Sequence, residues 1–257
     1  MNVIVPSFRR PEQCAKKTLS TLARQAPGAR VQVWLSDPQE RPQYERAAKD
    51  AGVHEHVQVT FHDGQPLLGP NRRAAYAAQD AGWVLSMDDD IERMIYRVSG
   101  KEAQDADIAR FFDEGTALAD MMGVTLFGVY PVANPFFMKA DVRSGLYFIY
   151  GATYAEKVTP GDMSRVPEAR YSLRDDIQRS LLHWRAGGSV LRFDEYAVVQ
   201  KYLTNEGGLQ HAQRTEAADT EERQRILDTW PGVTKAWQRS NGRHEIKLLD
   251  PSKARAL

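Results

Sequence analysis

Hydrophobic and polar positions change period repeatedly along the first 95 residues. Residues 2–6, NVIVP, form a short β-branched run of the kind a buried strand uses. From Pro11 the period becomes helical: Ala15, Leu19 and Leu22 share a face until Pro27-Gly28 stops the pattern. VQVWLSD (31–37) predicts a second strand, Pro42 to Ala51 a helix ending at Gly52, and VQVTFHD (57–63) a third strand. After GQPLLGP, the alanine-rich NRRAAYAAQDA predicts a helix, and WVLSM a fourth strand that runs straight into Asp88, Asp89 and Asp90. Four strands separated by three helices predict an α/β fold, a mostly parallel sheet with helices on both faces.

The second half is less regular. Gln104 to Met122 places Ile108, Phe111, Phe112, Leu118, Ala119 and Met122 near one helical face. GVTLFGVYP (123–131) and GLYFIYGATYA (145–155) predict strands. Between them, NPFFM offers Phe136 and Phe137, expected in core packing, with stacking on a base or sugar as the alternative. YSLRDDIQRSLLHWRAGG (171–188) predicts a helix with Ser172 as its cap, Asp175 completing a capping box, Ile177, Leu181 and Trp184 buried, and Gly187-Gly188 as its end. Thr220 to Trp230 predicts a further helix, stopped by Pro231-Gly232. Repeats and low-complexity linkers are absent, so residues 1–257 are expected to form a single domain.

Composition narrows the class. A chain of 257 residues that is 42% hydrophobic can bury a substantial core. Its 34 basic and 34 acidic residues cancel, which excludes the broad positive field common in nucleic-acid binders. Arg9, Arg10, Lys16, Lys17, Arg24 and Arg30 nevertheless face only Glu12 in the first thirty residues, as a solvated face or a local patch. Cys14 is the sole cysteine, so no internal disulfide forms, and a reducing compartment is favoured. No signal-peptide core and no run of about 18 apolar residues is present. The expectation is a soluble, cytoplasmic protein with no membrane partner.

In an open α/β sheet, ligands bind beyond the carboxyl ends of the strands. Here those ends carry Pro6-Ser7-Phe8-Arg9, Asp37, His62-Asp63 and Asp88-Asp89-Asp90. Three strands thus bring acids to one edge. Adjacent carboxylates repel, so the triplet is either a solvated turn or an oxygen site for Mg²⁺ or Mn²⁺. Neither G-x-G-x-x-G after the first strand nor G-x-x-x-x-G-K-[ST] occurs, which fits poorly with dinucleotide or P-loop nucleotide binding. A bound diphosphate would need cations, and Arg9, Arg10, Arg72 and Arg73 lie near the same edge. Arg72 and Arg73 equally suit an exposed helix face.

VIVPSFRRPE, LSD, GPNRRAAYAA and Asp88-Asp89-Asp90, in this order, resemble the nucleotide-sugar-binding half of GT-A-fold glycosyltransferases. The resemblance covers roughly residues 2–95 and is looser beyond. It implies a donor-binding half (1–95) and an acceptor-binding half (96–257). It also implies a D-x-D motif in which Asp88 and Asp90 hold Mn²⁺ or Mg²⁺, with His211 closing over the metal. Donor contacts would come from Pro6, Ser7, Arg9, Asp37, Asn71, Arg72, Arg73, Asp88 and Asp89. The general base would be Asp176, or failing that Asp175. VPSFRRPE, LGPNRRAAY, DDDIERM and KYLTNEGGLQH further resemble the TET-associated glycosyltransferases of bacteriophages. That likeness implies transfer from a UDP-linked sugar, UDP-glucose or UDP-GlcNAc, to 5-hydroxymethylcytosine in DNA, in the host cytoplasm if phage-encoded. Two alternatives stay open: the same fold acting on a saccharide, lipid or protein, and a non-catalytic nucleotide-binding module with a structural metal.

Overall fold

The computed structural model describes residues 1–200, 215–240 and 242–251. In chain order these form β1 (Asn2–Ser7), α1 (Pro11–Cys14), a π-type turn (Ala15–Leu19), α2 (Ser20–Gln25), β2 (Arg30–Leu35), α3 (Arg41–Asp50), β3 (Gln58–Asp63) and α4 (Leu68–Ala77). Then come β4 (Gly82–Met87), β5 (Ile91–Arg97), β6 (Ala103–Asp105), α5 (Ile108–Met121), β7 (Leu126–Tyr130), β8 (Val142–Gly145) and β9 (Thr153–Val158). The remainder is α6 (Asp175–Gly187), β10 (Val190–Gln200), α7 (Glu216–Thr229), β11 (Thr234–Gln238) and β12 (His244–Leu248). Among the described residues no helix is long and apolar enough to cross a membrane.

β1 to β10 form one sheet in the order β3-β2-β1-β4-β9-β7-β10-β5-β6, with β8 beside β10. The first four strands run parallel, as their pattern predicts. Val3, Val5, Val31, Val33, Leu85 and Met87 belong to the core that holds Leu19, Leu22 and Tyr44. Ile4, Trp34 and Val84 pack with Ala75 and Tyr76 of α4 instead. Apolar residues therefore point both ways along β1, β2 and β4, whereas the edge strand β3 alternates, with Val59 and Phe61 half-buried and Gln58 and Thr60 exposed on the other face. Beyond β4 the sheet is mixed: β9 is antiparallel to β4 and β7, whereas β7 and β10 are parallel. Strand order reverses around β1, so the loops leaving β1 and β4 open onto one crevice.

The helical stretch from Pro11 to Gln25 carries a polar row beside its apolar face. Thr18 Oγ1 donates to Asp88 O and accepts from Ile91 N, Thr21 Oγ1 donates to Glu92 O, and the Gln25 amide bonds both N and O of Met94. Side chains spaced at i, i+3 and i+7 thus satisfy backbone groups of β5 much as a neighbouring strand would. They also fix the turn that carries the three aspartates.

Several sequence expectations are corrected. Residues 145–155 are not one strand; β8 ends at Gly145 and β9 begins at Thr153. Leu146 and Ile149 of the intervening loop are buried in two different apolar clusters, so the apolar run marks a packed loop. Phe136 and Phe137 are 72% and 52% exposed, and Met138 is the member of NPFFM that enters the core. Ser172 does not cap α6, and Asp175 is not in a capping box. The acceptor at this helix entry is Glu222 of α7, which takes the N–H groups of Ser172, Leu173 and Arg174 at 3.0–3.3 Å.

Three donors converging on one carboxylate make Glu222 the main anchor of the α6 entry. Glu222→Ala leaves them without that partner, and each buried unsatisfied donor costs about 1–3 kcal/mol. We expect urea unfolding to show a loss on the order of 3 kcal/mol, with Glu222→Gln losing less than half of that.

Candidate active site

The middle acid of the triplet faces inward. Asp89 accepts Ser7 Oγ–H at 2.5 Å and Arg10 Nη1–H at 3.2 Å, and Tyr44 hydroxyl lies 2.7 Å from Ser7 Oγ. Burial raises its pKa, while Arg10 and Ser7 oppose the shift. Asp89 and Ser7 therefore lock the β4 turn to the end of β1. Asp88 and Asp90 flank this lock, with side chains 30% and 13% exposed. Burial, reinforced by the neighbouring Asp90 charge against the pull of Arg72, pushes the Asp88 carboxyl up to about 6. Two carboxylates that resist joint ionisation form a donor set that suits a hard divalent cation. Among the described residues no three His, Cys, Asp or Glu side chains cluster to hold a metal, so an ion on Asp88 and Asp90 would take the rest of its shell from phosphate and water.

Arg72 connects this pair to the other half of the sheet. Its guanidinium donates through Nη2 to Asp88 Oδ1 (2.6 Å) and Gly151 O (2.8 Å), and through Nη1 to Asp175 Oδ2 (2.6 Å). Arg179, one turn along α6, donates to the same Asp175 oxygen at 3.0 Å and lies 4.0 Å from the Tyr154 ring centroid. Burial alone would raise Asp175, but the two arginines hold it below the usual carboxylate range.

Asp176 lies at the start of α6, partly exposed, and lines a large cleft of about 1440 Å³. The wall includes Tyr147, Phe148, Tyr150, Arg174 and Trp237. Burial and the charge of Asp175 push the Asp176 carboxyl up to about 7, although Oδ1 accepts the Ile177 N–H at 2.8 Å. A Cβ on Gly151 would sit 3.0 Å from Asp176 Cβ, so a larger residue there would have to push Asp176 aside by a few tenths of an ångström. Two adjacent carboxylates, one held ionised and one near neutrality, are what an acid–base site requires.

The other sequence candidates divide by location. Pro6 is buried within β1, paired in register with Trp34. Arg9 adopts a left-handed φ of 57°, its N–H bound to Glu40 and its guanidinium 4.8 Å from the Phe8 ring centroid. Leu67, before α4, also has a positive φ, 75° with ψ 149°, so both non-glycine residues with positive φ among those described lie in loops leaving β1 and β3. Asp37 accepts from Gln39 N at 3.1 Å and caps the short turn before α3. Asn71 is fully buried, donating to Trp34 O and Ser36 Oγ. Arg73 turns to the carbonyls of Val166 and Pro167. His211 lies outside the described residues. Sequence reasoning missed Arg179, Gly151, Tyr154 and Glu222; the i, i+4 spacing of Asp175 and Arg179 was the one visible signal.

No protein-family model matches the sequence, and no curated protein matches it. Solved structures do. S. aureus TarS 1-349 gives a TM-score of 0.50 at 12% identity over 77% of this chain and 58% of that chain. A second S. aureus TarS structure gives 0.51 at 14% identity over 77% of this chain and 35% of that one. This chain thus spans less than two thirds of either. The mannosyltransferase PcManGT from Pyrobaculum calidifontis, in complex with GDP-Man and Mn²⁺, gives 0.41 at 17% identity over 61% of this chain and 44% of that one, a likeness too loose to carry an argument. At these identities the TarS likeness establishes the fold, which is of the GT-A type.

Removing Arg72 would leave Asp88 without its ion-pair partner and Asp175 with only Arg179. Breaking a buried pair in this way costs about 3–5 kcal/mol. Arg72→Gln is expected to lower unfolding stability by that order in guanidinium titrations at pH 7.5. A variant as stable as the parent would mean that Arg72 does not brace the two halves.

Proposed function

We propose that this chain is a divalent-metal-dependent glycosyltransferase that moves a hexosyl group from a UDP-linked sugar to an acceptor hydroxyl. The observation that carries the reading is Asp176, a partly exposed carboxyl on the cleft wall with a pKa of about 7, joined through Asp175 and Arg72 to Asp88. Asp176 takes the acceptor hydroxyl proton as that oxygen bonds to the anomeric carbon. The bond from that carbon to the diphosphate breaks, and UDP leaves with its electron pair. Mn²⁺ or Mg²⁺ on Asp88 and Asp90 would offset the charge that develops on the leaving diphosphate. Pro6, Ser7, Arg9, Asp37, Asn71, Arg72, Arg73 and Asp89 shape the donor side, Ser7, Asn71, Arg72 and Asp89 by bracing the strand ends. His211 is proposed as a further metal ligand, on the resemblance alone.

For the acceptor we propose the hydroxymethyl group of 5-hydroxymethylcytosine in DNA. The support is the likeness of VPSFRRPE, LGPNRRAAY and DDDIERM to the phage enzymes, together with a cleft wall that mixes aromatic rings with arginines. A base inside a duplex cannot reach Asp176, so the nucleotide must be extruded or already single-stranded.

Two measurements test the reaction. Because Asp176 works as a base, its protonated form is inactive; the fraction ionised falls as pH drops below about 7. The logarithm of kcat/KM should therefore rise with unit slope up to that pH and level off above it. Asp176→Ala should lower kcat by on the order of 10²–10⁴. A flat profile from pH 5 to 8 with an active alanine variant would place the base elsewhere.

The second is the product. DNA containing 5-hydroxymethylcytosine, incubated with UDP-glucose or UDP-GlcNAc and Mn²⁺, should gain one sugar mass per modified base by nucleoside mass spectrometry, and unmodified DNA none. Excess EDTA or Asp90→Asn should stop the reaction with the fold retained. Transfer to a free saccharide or peptide but not to DNA would keep the transferase reading and remove the DNA acceptor. Full activity in EDTA would take Asp88 and Asp90 out of metal binding.

A further inference from the structure

The β11–β12 hairpin carries charge in an arrangement that its own stability does not explain. In its antiparallel register Lys235 lies directly opposite Lys247, and Trp237 directly opposite Glu245. Residues opposite one another share a face, and like charges so placed are destabilising. Lys235 and Lys247 have no carboxylate within ion-pair distance among the described residues. Just beyond the strands, Arg239 and Arg243 both turn to Glu245 Oε1, at 3.4 and 3.1 Å. Arg174 takes the other oxygen at 2.6 Å, so one carboxylate serves three guanidinium groups. Arg239 and Arg243 thus share the single carboxylate of the hairpin strands while Lys235 and Lys247 face one another across the register, in a chain whose net charge is zero.

Within this basic surface Trp237 is 49% exposed, with the Arg239 guanidinium 5.9 Å from its ring centroid. The hairpin is anchored, since Ile246 and Leu248 pack against the cluster of Leu181, Ile226 and Trp230. It also belongs to the reaction cleft: Trp237, Arg239, Arg243 and Lys247 line the same cavity as Asp176. Arg174, which bonds Glu245, precedes α6 by one residue and Asp176 by two.

We infer that this hairpin is the surface that holds the acceptor strand, with the four cations on backbone phosphates and an unpaired base stacked on Trp237. The inference rests on the DNA-acceptor reading above and adds the part of the chain that grips the strand. A basic groove interleaved with an exposed aromatic ring is the chemistry by which single-stranded nucleic acid is held without regard to sequence. A bare polyanion site would need the cations but not the ring.

The test is fluorescence anisotropy with a labelled single-stranded 12-mer carrying one 5-hydroxymethylcytosine, for the full chain and three variants. Trp237→Ala should weaken binding about 5- to 100-fold, the range that one base stacked on an aromatic ring supplies. Arg239→Gln/Arg243→Gln and Lys235→Gln/Lys247→Gln should each reduce the slope of log K against log salt by about 0.7 for every phosphate that is no longer neutralised. A 12-mer abasic at every position should bind parent and Trp237→Ala alike. Circular-dichroism melting checks that the variants fold. Hydrolysis of UDP-glucose by the unaltered chain, measured alongside, tests the transferase reading separately. Variants that bind like the parent, or a parent that does not bind the oligonucleotide, overturn the inference even if hydrolysis proceeds. Absent hydrolysis with weakened binding in the variants leaves the hairpin as a nucleic-acid surface and removes the transferase.

Discussion

The candidate site depends on one buried guanidinium. Arg72 meets Asp88 at the end of β4, Gly151 on the approach to β9 and Asp175 at the start of α6. These three points lie far apart in the chain, and a charge as buried as this one persists only when its partners converge on it. The rest of the region follows. Asp175 draws in Arg179, Arg179 lies 3.8 Å from Glu156, and Glu156 lies 3.6 Å from His183. The Arg179 guanidinium also stacks over Tyr154, the ring under both arginines. A row of alternating charges thus runs from Asp88 through Arg72, Asp175 and Arg179 to Glu156, and ends on His183, whose burial favours the neutral imidazole.

That row sets the chemistry of the residue beside it. Arg72 and Arg179 keep Asp175 ionised against the cost of burial, and an ionised Asp175 makes it harder for Asp176 to lose its proton. Sequence neighbours with the same side chain acquire opposite tendencies because one faces two guanidinium groups and the other faces the cleft. The same division operates in the β4 turn: Asp89 is bonded to Ser7 and Arg10, while Asp88 and Asp90 repel one another at the crevice. In both places a run of identical acids is resolved into a buried structural member and more exposed neighbours.

How much of this was legible follows from the range of each interaction. β1 to β4 and their helices were readable because β1, β2 and β4 carry apolar residues on both faces, β3 alternates with period two, and each helix has a clear stop. β6 and β8 were not, since they have three and four residues, and β5, IERMIYR, was not because Glu92, Arg93 and Arg97 break any clear apolar period. The loop between β8 and β9 has the composition of a strand because it packs into two clusters. The aspartate triplet and Asp176 stood out as candidates, and the resemblance offered Asp88 and Asp90 for a metal and Asp176 for a base; what the sequence did not show is which neighbouring acids are held by structural partners. Asp89 is fixed by a serine 82 positions away, and Asp175 by an arginine 103 positions away. Asp175 looked like a cap because the residue that performs that function, Glu222, lies 48 to 50 positions further on. The polar row Thr18, Thr21 and Gln25 was visible at helical spacing, yet nothing local says that a strand backbone needs those groups.

Zero net charge looks at first like an objection to any polyanionic acceptor. The objection concerns steering, which depends on the field of the whole molecule at distances beyond the Debye length, about 8 Å at physiological salt. Grip depends on what lies inside that length. The β11–β12 hairpin brings together four cations and one strand carboxylate; two of the cations pair with that carboxylate, and the other two sit directly opposite one another in the strand register. Cancellation elsewhere in the chain cannot reach them through that much screening. On the proposed reading, such a hairpin would grip a polyanionic acceptor at short range, beside the cleft that Asp176 lines, without a long-range field to steer it there. With DNA as the proposed acceptor that arrangement would cost little, because a broad positive field would also retain unmodified DNA.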